Sequence, residues 1–221
     1  MHDPVSHLAR LDSCAVSDAL DKLGLFGAVT GIHRLSTDRK IAGRVLTVKL
    51  GVSQGPNTAT RHLSTAAIEA AQPGEIIVVE QRTGIDAAAW GGVLSRGAKM
   101  RQVAGVICEG PARDLDESRQ LDFPVFARHH TCRTARGRIV ELGTNVPITV
   151  GDVAVHPGDY VIADGSAVVF IAQAEIDRVL EAADFVMRRE TAMVEALEAG
   201  QRISEVMGAN YEHMLERHAS K

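Results

Sequence analysis

The order in which helical and extended patterns follow one another constrains the fold of this chain more than any other feature. Up to about residue 126, apolar residues at helical spacing alternate with short extended segments, including residues 42–50 and 76–79. The segment 76–79 is apolar on both faces, which is typical of a central strand. From residue 138 to 171, short extended segments follow one another, separated by turns rich in glycine, aspartate and proline. This order predicts a layered α/β fold with a mixed sheet.

Both ends of the chain are predicted to be helical. Ser13 is expected to cap an early helix that ends at Gly24. Apolar residues at three- and four-residue spacing over residues 176–197 predict a long helix. A last helix is expected over about residues 205–217, so the C-terminal helices together occupy about residues 173–217.

Composition limits the class of protein. With 221 residues, 45% of them hydrophobic and 24% charged, the chain is predicted to form one globular domain over residues 1–221. The net charge is −4 and no basic block is dense, which argues against a nucleic-acid partner. Three widely spaced cysteines argue against a disulfide framework or a cysteine zinc site. Without a signal core or an apolar run of about 18 residues, we expect a cytoplasmic protein that binds no membrane.

Two glycines begin the stretch that holds the most chemistry. Gly91 and Gly92 precede apolar residues at helical spacing, so they begin a predicted helix. A helix start without side chains leaves its backbone N–H groups bare, which suits an anion. Close helix packing is the alternative explanation of the glycines, and both explanations can hold. Trp90 is predicted to pack beside the resulting pocket.

An arginine and an aspartate follow a short buried strand. Residues 105–108 are predicted to form the strand, and a turn over residues 109–112 is expected to deliver Arg113 and Asp114 side by side. Ligand sites in α/β folds collect at the carboxyl ends of such strands. Arg113 offers a fork for a carboxylate, and Asp114 offers hard oxygen atoms for a divalent cation. The alternative is a solvated helix start in which Asp114 supports the first turn.

This stretch resembles the signature of the RraA-like family, which contains the class II pyruvate aldolases and the regulators of ribonuclease E activity A. The shared pattern is a Gly-x-Leu-type loop, about twenty residues, Arg-Asp, and then an acid. It is matched here by Gly91-Gly92-Val93-Leu94, Arg113-Asp114 and Asp116-Glu117. The resemblance implies a three-layer β/β/α fold like that of swivelling phosphohistidine domains, with mixed sheets and C-terminal helices. It also implies assembly as a homotrimer or as a hexamer of paired trimers.

The resemblance further implies an enzyme that cleaves a small 4-hydroxy-2-oxo acid by a retro-aldol reaction and releases pyruvate. Family aldolases act on 4-hydroxy-4-methyl-2-oxoglutarate or 4-carboxy-4-hydroxy-2-oxoadipate. Asp114 would hold Mg²⁺ or Mn²⁺, and Arg113 would bind the 2-oxo acid and act in catalysis. Oxaloacetate decarboxylation passes through the same enolate and is a second expected activity. The substrate carboxylate would be held by the backbone of Gly91, Gly92, Val93 and Leu94.

Position 92 departs from the family pattern, and position 190 extends it. Many aldolases of the family have an acid where this chain has Gly92, and the loss of that acid weakens the aldolase assignment more than the metal site. Relatives also supply a glutamate from the C-terminal helix of a neighbouring subunit, and Glu190 is the nearest match for this catalytic residue. The alternative for Glu190 is a surface helix acid. Asp116 and Glu117 are either supporting groups of the site or solvated acids of a first helical turn.

Two other functions stay open at the level of sequence. One is a non-enzymatic regulator that binds a ribonuclease or a helicase partner. Such regulators can lack the aspartate of the Arg-Asp pair, so the presence of Asp114 favours an enzyme. The other is a related enzyme with a different 2-oxo-acid or sugar-acid specificity, which the glycine at position 92 suggests.

Overall fold

One long, curled, mixed β-sheet organises the protein. The computed structural model describes residues 3–53 and 61–208. The strands within those ranges are β1 (Ala28–Val29), β2 (His33–Arg34), β3 (Ile41–Val52), β4 (Ile76–Glu80), β5 (Gly105–Ala112), β6 (Val125–His130), β7 (Ile139–Thr144), β8 (Ile148–Val150), β9 (Val153–Val155), β10 (Tyr160–Ala163) and β11 (Val168–Ile171).

Helices connect the early strands and surround the sheet. They are α1 (Pro4–Leu8), α2 (Ser13–Leu23), α3 (Thr65–Ala70), α4 (Gly92–Met100), α5 (Leu115–Gln120), α6 (Ile176–Glu198) and α7 (Ile203–Val206), with a 3₁₀ turn over Gln173–Glu175. In the described part of the chain, no helix combines the length and the apolar character that a membrane crossing requires.

The sheet has a parallel half and an antiparallel half that share strand β3. Strands β3, β4, β5 and β6 are parallel neighbours in that order, and β2 adds to β6 in the antiparallel sense. The beginning of β3 pairs antiparallel with β10, which pairs with β11, which pairs with β1. The end of β3 pairs with β7, while β8 and β9 form a separate hairpin. The predicted α/β fold with a mixed sheet is confirmed.

Three apolar clusters show how the layers pack. One face of the parallel strands is covered by α3 and α4, with Trp90 and Phe123 among the buried side chains. The other face packs against β8–β11 and β1, so the sheet curls around this second cluster. Helices α1, α2 and α6 cover the outer face of β10 and β11. All five residues of β4 are buried, as expected for a central strand.

The N-cap of the first long helix lies one residue before the predicted cap. Asp12, not Ser13, is the N-cap, and its Oδ1 accepts a hydrogen bond from the backbone N–H of Ala15 at 2.8 Å. Ser13 instead donates from its backbone N–H and its hydroxyl to Asp164, at 2.8 and 2.7 Å. The prediction for Ser13 was therefore wrong. The predicted end is confirmed, because Gly24 has a left-handed φ of 67°.

The predicted turn over residues 109–112 is part of a strand. Strand β5 runs through to Ala112, because β6 pairs with Pro111 and Ala112 after the last pair with β4 at Glu109. The register with β6 shifts between Cys108 and Pro111, and the strand continues through the glycine and the proline. Helix α6 was correctly predicted. Of the helix predicted over residues 205–217, the structure shows only the short α7, and residues 209–217 lie outside the described part of the chain.

Replacement of the α2 cap tests this account of the N-terminal helix. Asp12→Ala removes the acceptor for the Ala15 N–H and should lower the free energy of unfolding by about 1 kcal/mol, measured by urea denaturation. Asp12→Asn is the control, because asparagine keeps an acceptor oxygen. If Asp12→Asn costs as much as Asp12→Ala, the carboxylate charge stabilises the helix and not the capping bond.

Candidate active site

A pocket of about 390 Å³ lies where β5 ends and α4 begins. This volume is in the range of small-molecule sites. We call its first side the glycine wall, which consists of residues 88–94 together with Arg113 and Asp114. We call the remainder the second wall, which consists of His62, Leu63, Thr65, Thr134, Ala135 and Arg136.

Backbone hydrogen bonds bring the two parts of the glycine wall together. The segment before α4 runs parallel to the end of β5, with a bridge between Trp90 and Ala112. The Ala89 N–H donates to the Pro111 carbonyl at 2.8 Å, and the Arg113 N–H donates to the Trp90 carbonyl at 3.0 Å. The last bonds of a strand ladder therefore fix the glycines beside the arginine and the aspartate.

The carboxylate of Asp114 turns back towards the start of α4. Asp114 has a left-handed backbone, with φ 55° and ψ 41°, a conformation that aspartate adopts more readily than most residues. Its Oδ2 accepts a hydrogen bond from the Gly92 N–H at 3.0 Å and lies 3.5 Å from Nε of Arg113. The structure thus brings Gly92, Arg113 and Asp114 together, as the sequence motif predicts.

The two glycines leave space for carboxylates. A Cβ atom on Gly91 would lie 2.9 Å from Oδ2 of Asp114, and one on Gly92 would lie 1.9 Å from Oε2 of Glu117. Glu117 therefore occupies the space that a side chain at position 92 would take, and it is 3.5 Å from Arg96. Asp116 differs, because it is exposed and pairs with Arg119. Of the two acids after Arg-Asp, only Glu117 lies against the start of α4.

The other residues of the loop divide between the core and the surface. Leu94 is buried among the apolar residues beneath the pocket, whereas the Val93 side chain is 82% exposed at the pocket. Among the described residues, no side chain caps helix α4 at its N-cap position Gly91. The Gly92 N–H at the start of the helix donates to the Asp114 carboxylate, and Gly92, Val93 and Leu94 line the pocket.

A buried polar network supports the glycine wall from behind. The indole Nε1–H of Trp90 donates to Oγ of Ser95 at 3.0 Å, and Ser95 and Ser118 share a hydrogen bond of 3.0 Å. The Ser118 N–H in turn donates to the Asp114 carbonyl at 3.1 Å. The position predicted for Trp90 is confirmed. Sequence reasoning missed the two serines, since a single serine inside a helical pattern has no distinctive local signal.

The donor set of the pocket fits a hard divalent cation that keeps most of its water. Oδ1 of Asp114 accepts no hydrogen bond from the described residues, so it is free for a ligand. Over residues 3–53 and 61–208, no three His, Cys, Asp or Glu side chains converge as a metal cluster. Mg²⁺ is commonly bound in proteins by one or two carboxylates and several waters. Asp114, with Glu117 nearby, meets that requirement.

Glu190 does not line this pocket in the described chain. It lies on α6, where burial and then the charges of Asp12 and Asp18 raise its pKa. The same environment raises the pKa of Asp18, through burial first and then its acidic neighbours. A role for Glu190 therefore requires a neighbouring subunit, and it stays a prediction.

Comparison with known proteins identifies the family. The family model described as RraA-like, Aldolase/RraA, matches residues 13–170. This chain belongs to the Aldolase/RraA family. The matched region of this family member contains the whole glycine wall and Glu117, whereas Glu190 lies beyond it.

Individual relatives agree with this assignment. A Halalkalibacterium halodurans protein with the provisional name 4-hydroxy-4-methyl-2-oxoglutarate aldolase is 31% identical over 185 residues, which cover 82% of each protein. Protein DlpA of Legionella pneumophila is 25% identical over 93% of this chain, but the chain spans only 33% of DlpA. The structure of Streptomyces coelicolor RraAS2, described as an unusual member of the RNase ES inhibitor RraA family, superposes with a TM-score of 0.76 at 25% identity and covers 85% of this chain and 93% of its own. The RraA fold is confirmed.

The serine network behind the glycine wall can be tested by stability. Ser95→Ala leaves the buried Trp90 N–H without its acceptor and should lower the free energy of unfolding by about 1–3 kcal/mol, measured by denaturant titration. In a Trp90→Phe background the same change should cost less, because the donor is absent. Equal costs in the two backgrounds would show that the indole hydrogen bond contributes nothing.

Proposed function

We propose that this protein is a divalent-cation-dependent lyase that cleaves a small 4-hydroxy-2-oxo acid and releases pyruvate. The observation that carries the proposal is the convergence of Asp114, Arg113 and the bare start of α4 on one pocket. The provisional aldolase name of the Halalkalibacterium relative supports the same reaction class. Within this proposal, Asp114 holds Mg²⁺ or Mn²⁺.

Each group of the glycine wall has a role in binding the 2-oxo end of the substrate. The N–H groups of Val93 and Leu94 bind the carboxylate at the helix start. Arg113 binds the 2-oxo acid through its planar fork and stabilises negative charge as it develops. The bound cation supplies Lewis acidity towards the 2-oxo acid. Ala89 and Trp90 shield this end of the pocket from bulk solvent.

The reaction requires stabilisation of one enolate. The C4 hydroxyl loses its proton and becomes a carbonyl as the C3–C4 bond breaks, and the electron pair of that bond moves into the pyruvate enolate. Protonation at C3 then gives pyruvate. Oxaloacetate decarboxylation forms the same enolate with release of CO₂, so we propose it as a second activity of the site. In both cases Arg113 acts on the charge that forms in the transition state.

Replacement of Asp114 tests the cation site. Asp114→Asn should weaken Mn²⁺ binding and lower kcat/KM for pyruvate release by at least about a hundredfold, as removal of the metal with a chelator should in the wild type. Calorimetry with Mn²⁺ and a coupled pyruvate assay over a panel of 4-hydroxy-2-oxo acids and oxaloacetate are the measurements.

Asp116→Asn is the matched control, because Asp116 is an exposed acid two residues away that pairs with Arg119 outside the pocket. Its metal affinity and turnover should equal those of the wild type. Full activity of Asp114→Asn would refute the assignment. If the wild-type protein with metal releases pyruvate from none of these acids, the enzymatic proposal fails. The regulator described for the RraA relatives is then the better candidate.

We also propose that the protein is a homotrimer or a pair of trimers whose active site lies between subunits. Two apolar side chains on α4 support this proposal, since Val93 is 82% exposed and Met100 is 79% exposed, both on the helix that begins at the pocket. Exposed apolar surface of this kind commonly marks an interface, and closed symmetry is the usual way to bury it. In this assembly Glu190 from a neighbouring α6 completes the site.

Light scattering should therefore give a multiple of the 23.6 kDa chain mass. Glu190→Gln should lower kcat at least about tenfold without a change of assembly, because it removes a carboxylate that acts in the neighbouring site. Glu195→Gln, at an exposed position of the same helix, should have no effect. A monomer with full activity at high dilution would contradict the shared site.

A further inference from the structure

Few of the side chains in the pocket can move a proton. Among its described lining residues, the ionisable ones are His62, Arg113, Asp114 and Arg136. An arginine keeps its proton in proteins, so the two guanidinium groups cannot act as bases. The Asp114 carboxylate accepts from the Gly92 N–H and, in the proposed function, holds the cation. His62 is therefore the described lining residue best suited to accept a proton near neutral pH.

Two hydroxyl groups and one further carboxylate are less suited to this task. The hydroxyl groups belong to Thr65 and Thr134, and threonine is not among the side chains that commonly serve as general acids or bases. Glu117 is not among the described lining residues, and its Oε1 lies 3.5 Å from Arg96. Its other oxygen lies against the start of α4, on the side of the proposed cation ligand.

One hydrogen bond determines which nitrogen of His62 is basic. Nδ1 lies 3.1 Å from the Leu63 carbonyl oxygen, and because a carbonyl oxygen only accepts, Nδ1 carries the hydrogen in this contact. The neutral ring then has its lone pair on Nε2. Nε2 has no hydrogen-bond partner among the described residues, so it is available to accept a proton from a ligand.

The backbone around His62 is held by three contacts. Its carbonyl accepts from the Thr65 hydroxyl at 2.7 Å, and the side chain of Leu63 is buried in the cluster beneath the pocket. The Ser64 N–H donates to Oε2 of Glu141, on β7, at 2.7 Å. The imidazole thus extends from a fixed segment, which reduces the entropy lost when it is placed against a substrate.

The second wall lies where the part of the substrate beyond the 2-oxo group is expected. In the proposed function the 2-oxo end occupies the glycine wall, and C4 lies two carbons further along the substrate. His62 belongs to the second wall. This arrangement separates the groups that stabilise the enolate from the histidine that faces the C4 hydroxyl.

We propose that Nε2 of His62 is the general base that removes the C4 hydroxyl proton in the retro-aldol step. This inference rests on the proposed function. The proton moves from the hydroxyl oxygen to Nε2, the O–H electron pair forms the C4 carbonyl, and the C3–C4 electron pair moves into the pyruvate enolate. The enolate then takes a proton at C3 from a water molecule. The imidazolium returns its proton to the hydroxide so formed, which restores the water and the neutral ring.

Oxaloacetate decarboxylation separates this role from the other functions of the pocket. The C4 group of oxaloacetate is an ionised carboxylate that leaves as CO₂, so it has no hydroxyl proton to remove. The two reactions share the enolate and the groups that stabilise it, but only the retro-aldol step needs the base. A base at His62 therefore acts in one reaction and not in the other.

His62→Asn is the test variant, because asparagine keeps an N–H near the position of Nδ1 and lacks Nε2. The substrates are oxaloacetate and the 4-hydroxy-2-oxo acid of the panel that the wild type cleaves fastest, both with Mg²⁺. His62→Asn should lower kcat for cleavage at least about a hundredfold and kcat for decarboxylation by no more than about twofold. His62→Ala should show the same pattern, and added imidazole should restore part of its cleavage activity. His33→Asn, at an exposed position of β2 that does not line the pocket, should change neither rate.

The outcomes separate this inference from the proposed function. Equal losses of both activities in His62→Asn would show that the histidine supports the pocket or binds the 2-oxo end, and would overturn its role as a base. Cleavage by His62→Asn at the wild-type rate would overturn it as well. In both cases the wild type still cleaves the hydroxy acid, so the proposed function is retained. A wild type that releases pyruvate from no acid of the panel refutes the proposed function, and the base role with it.

Discussion

The alignment of the segment before α4 with the end of β5 is the constraint on which the candidate site depends. Two backbone hydrogen bonds, from Ala89 to Pro111 and from Arg113 to Trp90, join parts of the chain about twenty residues apart. They place a helix start beside the residues that follow a central strand. The sheet thus brings the backbone of the loop glycines into contact with the backbone of the arginine and the aspartate. Their functional groups lie close together for this reason.

Electrostatics within the pocket follows from this arrangement. Oδ2 of the aspartate is shared between a helix N–H and an arginine, and Oδ1 has no partner among the described residues. The carboxylates of Asp114 and Glu117 lie close to Gly91 and Gly92. Any side chain at positions 91 and 92 would displace these carboxylates. The second wall adds a cation from a turn that enters the site only because β7 pairs with the end of β3. The two walls of the pocket therefore differ in charge.

Local sequence patterns identified some of these features and not others. The α/β class, the central strand β4, helix α6 and the grouping of Gly92 with Arg113 and Asp114 could be predicted, because periodicity and a motif at fixed spacing carry them. The extension of β5 through Gly110 could not, since pairing with β6 beyond that glycine overrides a local turn signal. The presence of Arg136 and His62 at the pocket could not be predicted, because both are distant in sequence from the motif and reach the pocket only in the folded chain.

The sharing of β3 between two halves of the sheet has a consequence for synthesis on the ribosome. The ribosome has synthesised strands β3 to β6 and the glycine wall by about residue 130. The beginning of β3, residues 41–44, pairs with β10, which follows only at residues 160–163. Until that strand emerges, a row of unpaired backbone groups remains along this edge of the nascent sheet. Such edges pair readily with other chains, so the late arrival of β10 sets the interval in which the growing protein is open to misassembly.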